Sequence, residues 1–402
     1  MKKLVTCLAI LASIFTGCTT DDDDENQIIK VPVVGEITGD LSANKTFEKG
    51  TYTLKGIVKI QAGVTITFDA GSTITADQIS GVDALVVLNG GKLVMNGTAA
   101  EPIVCTETSK IPGSWGGIIM YGDAPMVGAA GVATAVSEDG LALPYGGTNP
   151  THNGGSLKYV RVEYAGKKIT DGTSEMNGFS FYSVGSDTIL ENLVSYKGAD
   201  DGYEFYGGTV SLKNAISYGN TDDSFDWQDG WRGQDNSNWY AYQVGVGNYG
   251  MEIEAKNTNN TFYPKVTNIT LKRAAGTATE GGASAIEFDA IQFKKQGNGE
   301  FTNIWIDGYT STYTSTATPP VTTNAVAVRI QDAATNNDQV TGGKIKLNNV
   351  KVTNSNAVEI GAGASTFSVV FPVGQYSINA TANGATLTAG AWATSGGTNL
   401  LQ

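Results

Sequence analysis

Residues 188–208 read TILENLVSYKGADDGYEFYGG, and residues 210–230 read VSLKNAISYGNTDDSFDWQDG. At a constant offset of 22, Leu190 falls on Leu212, Asn192 on Asn214, and Ser195-Tyr196 on Ser217-Tyr218. Asp200-Asp201 then falls on Asp222-Asp223, and Tyr203-Glu204-Phe205 on Phe225-Asp226-Trp227. Within each copy apolar and polar residues alternate, the period of a half-buried strand. A repeat this short, made of strands and turns, predicts coils stacked in one dimension. A two-sheet sandwich would also use alternating strands, but it gives no reason for the same Asn to recur at a fixed offset. In a stack, equivalent positions lie about 4.8 Å apart. Asn192 and Asn214 are then expected to bond one above the other as an amide ladder.

The apolar-x-Asn-apolar unit recurs at Val266–Ile269, Phe301–Ile304 and Leu347–Val350. No stretch after residue 18 carries apolar residues at helical spacing. The chain of 402 residues has 51 Gly, only 10 Pro and 16% charged residues. Such a composition suits an all-β protein with many tight turns. Residues 122–154, with Pro125, Pro144 and Pro150, and residues 310–323 (TSTYTSTATPPVTT) are expected to be loops leaving the coils. The last forty residues, rich in Ala, Thr and Gly, are expected to cap the open end of the stack.

At the N-terminus, Met1-Lys2-Lys3 precedes an apolar run from Leu4 to Phe15, too short to span a bilayer as a helix. The run ends in Thr16-Gly17-Cys18, which resembles a bacterial lipobox. That resemblance implies cleavage before Cys18 and acylation of its thiol. The expected organisation is a signal peptide at 1–17, an acidic tether at 18–30 (TTDDDDENQ in its centre) and one elongated domain at 31–402. Like charges keep the tether extended, and each buried CH₂ of the acyl chains adds roughly 0.8 kcal/mol of membrane affinity. The expected partner of Cys18 is therefore a lipid bilayer, and the expected location the outer membrane, exposed at the cell surface.

Formal charge is −13; loss of Lys2 and Lys3 takes it to −15. Such a chain is a poor ligand for nucleic acid. A cation, a glycan or a protein partner suits it better. Cys7 leaves with the signal and Cys18 carries lipid, so Cys105 is alone and reads as a small core residue.

Longer stretches carry a family resemblance. They are Gly63–Ile66 through Gly71–Ile74, Leu85–Leu88 with Gly90–Leu93, Asn96–Ile103, Gly113–Ile118, Gly155–Val160, and the paired Asp-Asp coils ending at Asp229-Gly230-Trp231-Arg232-Gly233. Together they resemble a pectin-lyase-like fold, a single-stranded right-handed parallel β-helix. The chain is especially similar to Bacteroidetes-type surface lipoproteins of that fold, whose biochemical role is unsettled. A fold of this kind hosts many activities, so function must be argued from the site.

His152 is the only His and lies in a Gly/Asn/Pro loop, which gives no support to a Ser-His-Asp triad or a His-based zinc site. The constellation that remains is acidic. The offset stacks Asp200 on Asp222, Asp201 on Asp223 and Glu204 on Asp226. Alternation sends Tyr203, Phe205, Phe225 and Trp227 to the core and Glu204 and Asp226 outward. Stacked like charges call for an offset, and Ca²⁺, which takes six to eight oxygens, is the expected cofactor. The competing expectation is that the four Asp residues of the turns merely cap backbone. Asp229, Trp231, Arg232, Trp239, Tyr240 and Tyr242 follow closely and are expected to form a ligand surface, with Arg232 the nearest arginine to the acids.

Three functions are consistent with these residues. The first is non-catalytic binding of a glycan or protein partner. The second is a polysaccharide lyase or glycoside hydrolase working through the stacked acids, although the Gly-His-Gly and Arg-x-Lys elements of polygalacturonases are missing. The third is a structural or adhesive surface spacer.

Overall fold

The computed structural model describes Val33–Gln402, apart from residues 78–80, 169–173, 257–262, 281–285 and 364–366. The signal segment, Cys18 and the acidic tether lie outside the described residues. The chain winds into a right-handed parallel β-helix, the hand expected of parallel crossovers. Every coil adds strands in register to the coil before it, and three parallel stacks run the length of the molecule. One stack passes through Ile118–Tyr121, Phe179–Tyr182, Tyr203–Tyr206, Phe225–Gln228, Met251–Ile253, Ile291–Phe293 and Val328–Ile330. The other two are the two halves of longer strands, such as Ile189–Tyr196 and Leu212–Tyr218.

Each long strand bends between its halves at one residue, and there the pairing skips a position. Leu190 pairs with Leu212 and Glu191 with Lys213; pairing resumes at Leu193 with Ala215. The skipped residues, Asn192 and Asn214, both have φ of 56°. Asn238, Asn268, Asn303 and Asn349 take the same left-handed conformation, with φ of 57°, 61°, 59° and 57°. Asn tolerates this region better than other residues with a Cβ. The side chains form the expected ladder: Asn214 Nδ2 donates to Asn192 Oδ1 at 3.1 Å, Asn238 to Asn214 at 2.9 Å, Asn268 to Asn238 at 3.1 Å and Asn303 to Asn268 at 2.8 Å. The intervals of 22, 24, 30 and 35 residues show coils lengthening by insertion while the corner stays constant.

The core is a set of inward columns. Phe179, Tyr203 and Phe225 stack with ring centroids 5.2 Å apart at each step. Such pairs add about 0.5–1.5 kcal/mol each beyond area burial. Trp231 stacks on Phe205 at 4.3 Å and Trp239 on Phe225 at 4.5 Å. Cys105 is buried and unpaired, and desolvation pushes its thiol up to about 12, as suits an inert core residue.

The 122–154 loop leaves the helix and folds against its outer surface. It covers an outward tyrosine column, Tyr121–Tyr182–Tyr206, with centroids 4.9 and 4.0 Å apart. Tyr121 OH donates to Asp139, and Tyr145 OH to Asp229 Oδ2 at 2.6 Å. His152 is buried at the end of this loop, where Nδ1 accepts from the Gly185 amide at 3.4 Å and desolvation lowers its pKa. Residues 310–323 project as a hairpin, Thr312–Thr314 pairing with Thr322–Asn324.

The C-terminal forty residues do more than cap. Phe367, Val369, Phe371 and Tyr376 pack over the last coils. From Asn379 onward the chain turns back as a strap along the asparagine corner. The Asn383 amide donates to Asn303 Oδ1, Ala385 N to Thr270 Oγ1 and Thr386 N to Asn238 Oδ1. Trp392 N then reaches Ala99 O at 3.2 Å. The strap ends over Val194, Ile216 and Tyr240, an apolar outer face that strand alternation leaves exposed and that must be covered.

A candidate cation-binding basin

The acids of the 22-residue repeat meet in one place. Along the stack through Tyr203–Tyr206, register sets Ser180, Glu204, Asp226, Glu252 and Gln292 one above the next. Alternation turns them away from the core, as expected. They are not solvated, however: Glu204 is 6% and Asp226 9% exposed. Flanking turns and the 122–154 loop, through Glu138, wall them into a basin of about 590 Å³.

The turn acids occupy one side of this basin. Asp201 Oδ1 accepts from Asp223 N at 2.8 Å, and Asp223 Oδ1 accepts from Tyr249 N at 2.6 Å. Asp222 accepts from the side-chain amide of Asn248. Asp201 and Asp223 therefore cap backbone in consecutive coils, which satisfies half of the competing expectation. Each capping oxygen leaves the second oxygen of its carboxylate to the basin. Four groups of three carboxylates bring oxygens within 4.8 Å of one another: Glu175-Asp200-Asp222, Asp201-Asp222-Asp223, Asp201-Glu204-Asp226 and Asp223-Asp226-Glu252. Two oxygens on one Ca²⁺ ion are separated by up to about twice the 2.3–2.6 Å bond length, so these spacings suit a shared cation.

Electrostatics follow from this crowding. Burial, and then the neighbouring carboxylates, hold Asp200, Asp201 and Asp223 well above the ordinary carboxylate range. Burial does the same to Asp222, with Glu280 and Glu252 adding to it, and to Asp226, with Glu204 and Glu252 adding. Burial takes Glu204 up to about 8, even though Tyr206 OH, Gln228 Nε2 and Asn177 Nδ2 all donate to it. Lysines compensate only at the margins. Lys294 lies 2.5 Å from Glu252, and Lys168 bridges Glu175 and Glu280 at 2.8 and 2.6 Å. Among the described residues Asp226 Oδ1 and Gln228 Oε1 are buried acceptors without a hydrogen-bond partner, and both residues line the basin.

The geometry is that of a parallel β-helix with an acidic depression on one stack, and the chain matches the family model for a pectate-lyase-like beta helix domain over residues 39–396. The chain belongs to the pectate-lyase-like β-helix family. No curated protein and no solved structure matches it.

Within this pectate-lyase-like β-helix the six expected acids, Asp200, Asp201, Glu204, Asp222, Asp223 and Asp226, lie together. The expected ligand surface does not assemble. Trp231 and Trp239 are 1% and 0% exposed and belong to the core. Their indole N–H groups donate to Val210 O and Leu212 O, each at 3.0 Å, which removes the usual cost of burying tryptophan whole. Tyr240 is covered by the strap and donates to Gln402 O, and Tyr242 packs at the edge of the same cluster. Asp229 is buried as the acceptor of Tyr145. Arg232 lines a separate groove of about 720 Å³ with Ile189 and Tyr263, so lysines and not this arginine face the acids. Six acids of the basin, Glu138, Glu175, Glu252, Glu254, Glu280 and Glu287, escape the repeat. Glu252 stands in Met251-Glu252-Ile253, an apolar-acid-apolar triplet like Phe225-Asp226-Trp227, but 26 residues on. Glu175 and Glu138 arrive on loops and carry no sequence signal.

Proposed function

We propose that this protein is a non-catalytic surface lipoprotein whose acid basin binds Ca²⁺ and, with it, a glycan or protein partner. The observation that carries the reading is a chain of four overlapping carboxylate triads, two of which share Asp226 with its unpartnered Oδ1. An orphaned buried carboxylate oxygen costs free energy that a cation offsets. Asp201, Glu204, Asp223, Asp226 and Glu252 are the groups that would hold it at Asp226, with Asp222 linking them to the neighbouring triads. Calorimetry should give saturable Ca²⁺ binding. A ligand restricted to the folded state stabilises by RT ln(1 + [L]/Kd), about 2.7 kcal/mol at a hundredfold excess over Kd. Asp222→Asn combined with Asp226→Asn should abolish both the heat and the rise in Tm. An unmoved melting curve in millimolar Ca²⁺ overturns the cation site.

The anchoring part of the proposal rests on the Thr16-Gly17-Cys18 segment. Intact-mass analysis of membrane-bound protein should find a chain beginning at acylated Cys18, and Cys18→Ala should release it or leave it uncut. A soluble wild-type protein beginning elsewhere defeats it. One observation favours a second reading, cleavage of a polysaccharide. Glu204, pushed up to about 8 by burial, lies within 4.8 Å of Asp226 and Asp201 by their oxygens, and burial raises those two as well, which sets acids able to share protons side by side. A degradation screen over neutral, acidic and amino polysaccharides decides it: release of reducing ends that Glu204→Gln eliminates makes the protein an enzyme.

A further inference from the structure

The charge and hydrogen-bonding character of the basin limit what it can admit. Among the described residues twelve carboxylates and four lysines line it, a formal charge of −8. No arginine does; Arg161, Arg273 and Arg329 are engaged with Glu163, backbone carbonyls and Asp289, and Arg232 lies in the other groove. Without a bridging cation, recognition of a carboxylate-bearing polymer relies on guanidinium or ammonium donors directed at it. Here the four lysines face carboxylates of the basin itself. Counted with every group ionised, one seated divalent cation leaves the lining at −6; with the buried acids protonated the lining still offers an anion no unpaired cation among the described residues.

The two buried, unpartnered atoms point the same way. Asp226 is 9% and Gln228 3% exposed, and the free atoms are acceptors in both. The Gln228 amide cannot be turned round, because its Nε2 faces Glu138 Oε1 at 3.0 Å and Glu204 Oε1 at 2.9 Å. What completes the site is therefore a donor of positive charge. The basin already shows how it treats one: the Lys294 ammonium lies 2.5 Å from Glu252 and 3.5 Å from Glu254. An ammonium has three donors and no acceptor, which matches a wall of acceptors.

We infer that the ligand of the basin is a primary-ammonium compound, seated between Asp226, Glu204 and Gln228, and that polyanionic glycans are excluded. The inference rests on the basin being the ligand site, and it does not require Ca²⁺. The test uses the folded protein in Ca²⁺-free buffer at low and high NaCl. Calorimetry is run with spermidine, a glucosamine oligomer, the same oligomer N-acetylated, and an oligogalacturonate. The expected result is binding of an amine that weakens with salt, at least a tenfold loss on N-acetylation, and no binding of the oligogalacturonate. Asp226→Asn, nearly isosteric, should weaken the amine at least fivefold with an unchanged circular dichroism spectrum. Should that variant fail to fold, Gln228→Met removes the Gln228 acceptor, together with the Nε2 donations to Glu138 and Glu204, without adding or removing a charge, and should weaken the amine as well. Spermidine alone binding identifies a small polyamine; the oligomer binding identifies an amino-sugar polymer. Equal binding of the N-acetylated oligomer, binding of the oligogalacturonate, or silence from both amines overturns the inference. A positive Ca²⁺ titration alongside silent amines leaves the cation site standing and removes only the ligand class.

Discussion

Replacing Asn214 separates the two tasks of the asparagine corner. Asn214→Ala removes two side-chain bonds, the 3.1 Å donation to Asn192 and the 2.9 Å acceptance from Asn238. A net hydrogen bond is worth about 0.5–1.5 kcal/mol, so the pair contributes about 2 kcal/mol. Alanine must also hold φ near 56°, where a Cβ meets the carbonyl, at a cost of about 1 kcal/mol. The expected destabilisation is about 3 kcal/mol. Asn214→Gly loses the same bonds but accepts the left-handed backbone freely, so it should cost about 2 kcal/mol. Urea unfolding, followed by circular dichroism and by tryptophan fluorescence, reads both variants as shifts of midpoint at constant slope. The ordering Ala worse than Gly worse than wild type is the signature. If alanine costs under about 0.5 kcal/mol, or glycine is the worse of the two, the corner does not depend on stacked amides in left-handed conformation.

The acid basin should make the cation-free protein less stable in base. Burial raises Glu204 from 4.5 to about 8, so between those values the folded chain binds a proton the unfolded chain has released, and stability falls as pH rises from 4.5 to 8. Thermal melts across that range in EDTA should show Tm dropping, and Glu204→Gln should flatten the drop; a Tm rising toward pH 8 contradicts the burial of these acids. Trp392→Ala should cost about 3 kcal/mol, since the ring is 4% exposed and lies edge-on to Tyr159 at 5.8 Å. Limited proteolysis should then cut within 379–402 first, and an unchanged cleavage pattern counts against the strap as a clamp.

The alternation and the 22-residue offset made the stacked coils and the inward aromatic columns legible, because both are local consequences of pleat and turn. The Asn ladder was legible for the same reason, although its left-handed backbone was not. Arg232 illustrates the limit. Closeness in sequence placed it beside the acids in an expected ligand surface, but a coil carries its successive residues around three faces, so a neighbour in the chain lines a different groove. Trp231 and Trp239 illustrate another. Their clustering looked like a binding surface, and only the backbone carbonyls of Val210 and Leu212, brought inward by coil closure, show how the indoles are satisfied inside.

Sequence alone therefore determined the class of fold, the corner residue and the six acids that recur together. Tertiary structure decided that these acids are walled in, that Glu138, Glu175 and Glu252 join them, and that the last residues strap the outer face as well as close the end. The physical reason is one of range. A repeat encodes what each coil does to the coil beside it, across about 4.8 Å. Insertions of unequal length, by contrast, are placed by the outer apolar surface they must cover, such as the Tyr121–Tyr182–Tyr206 column, and no periodicity records that destination.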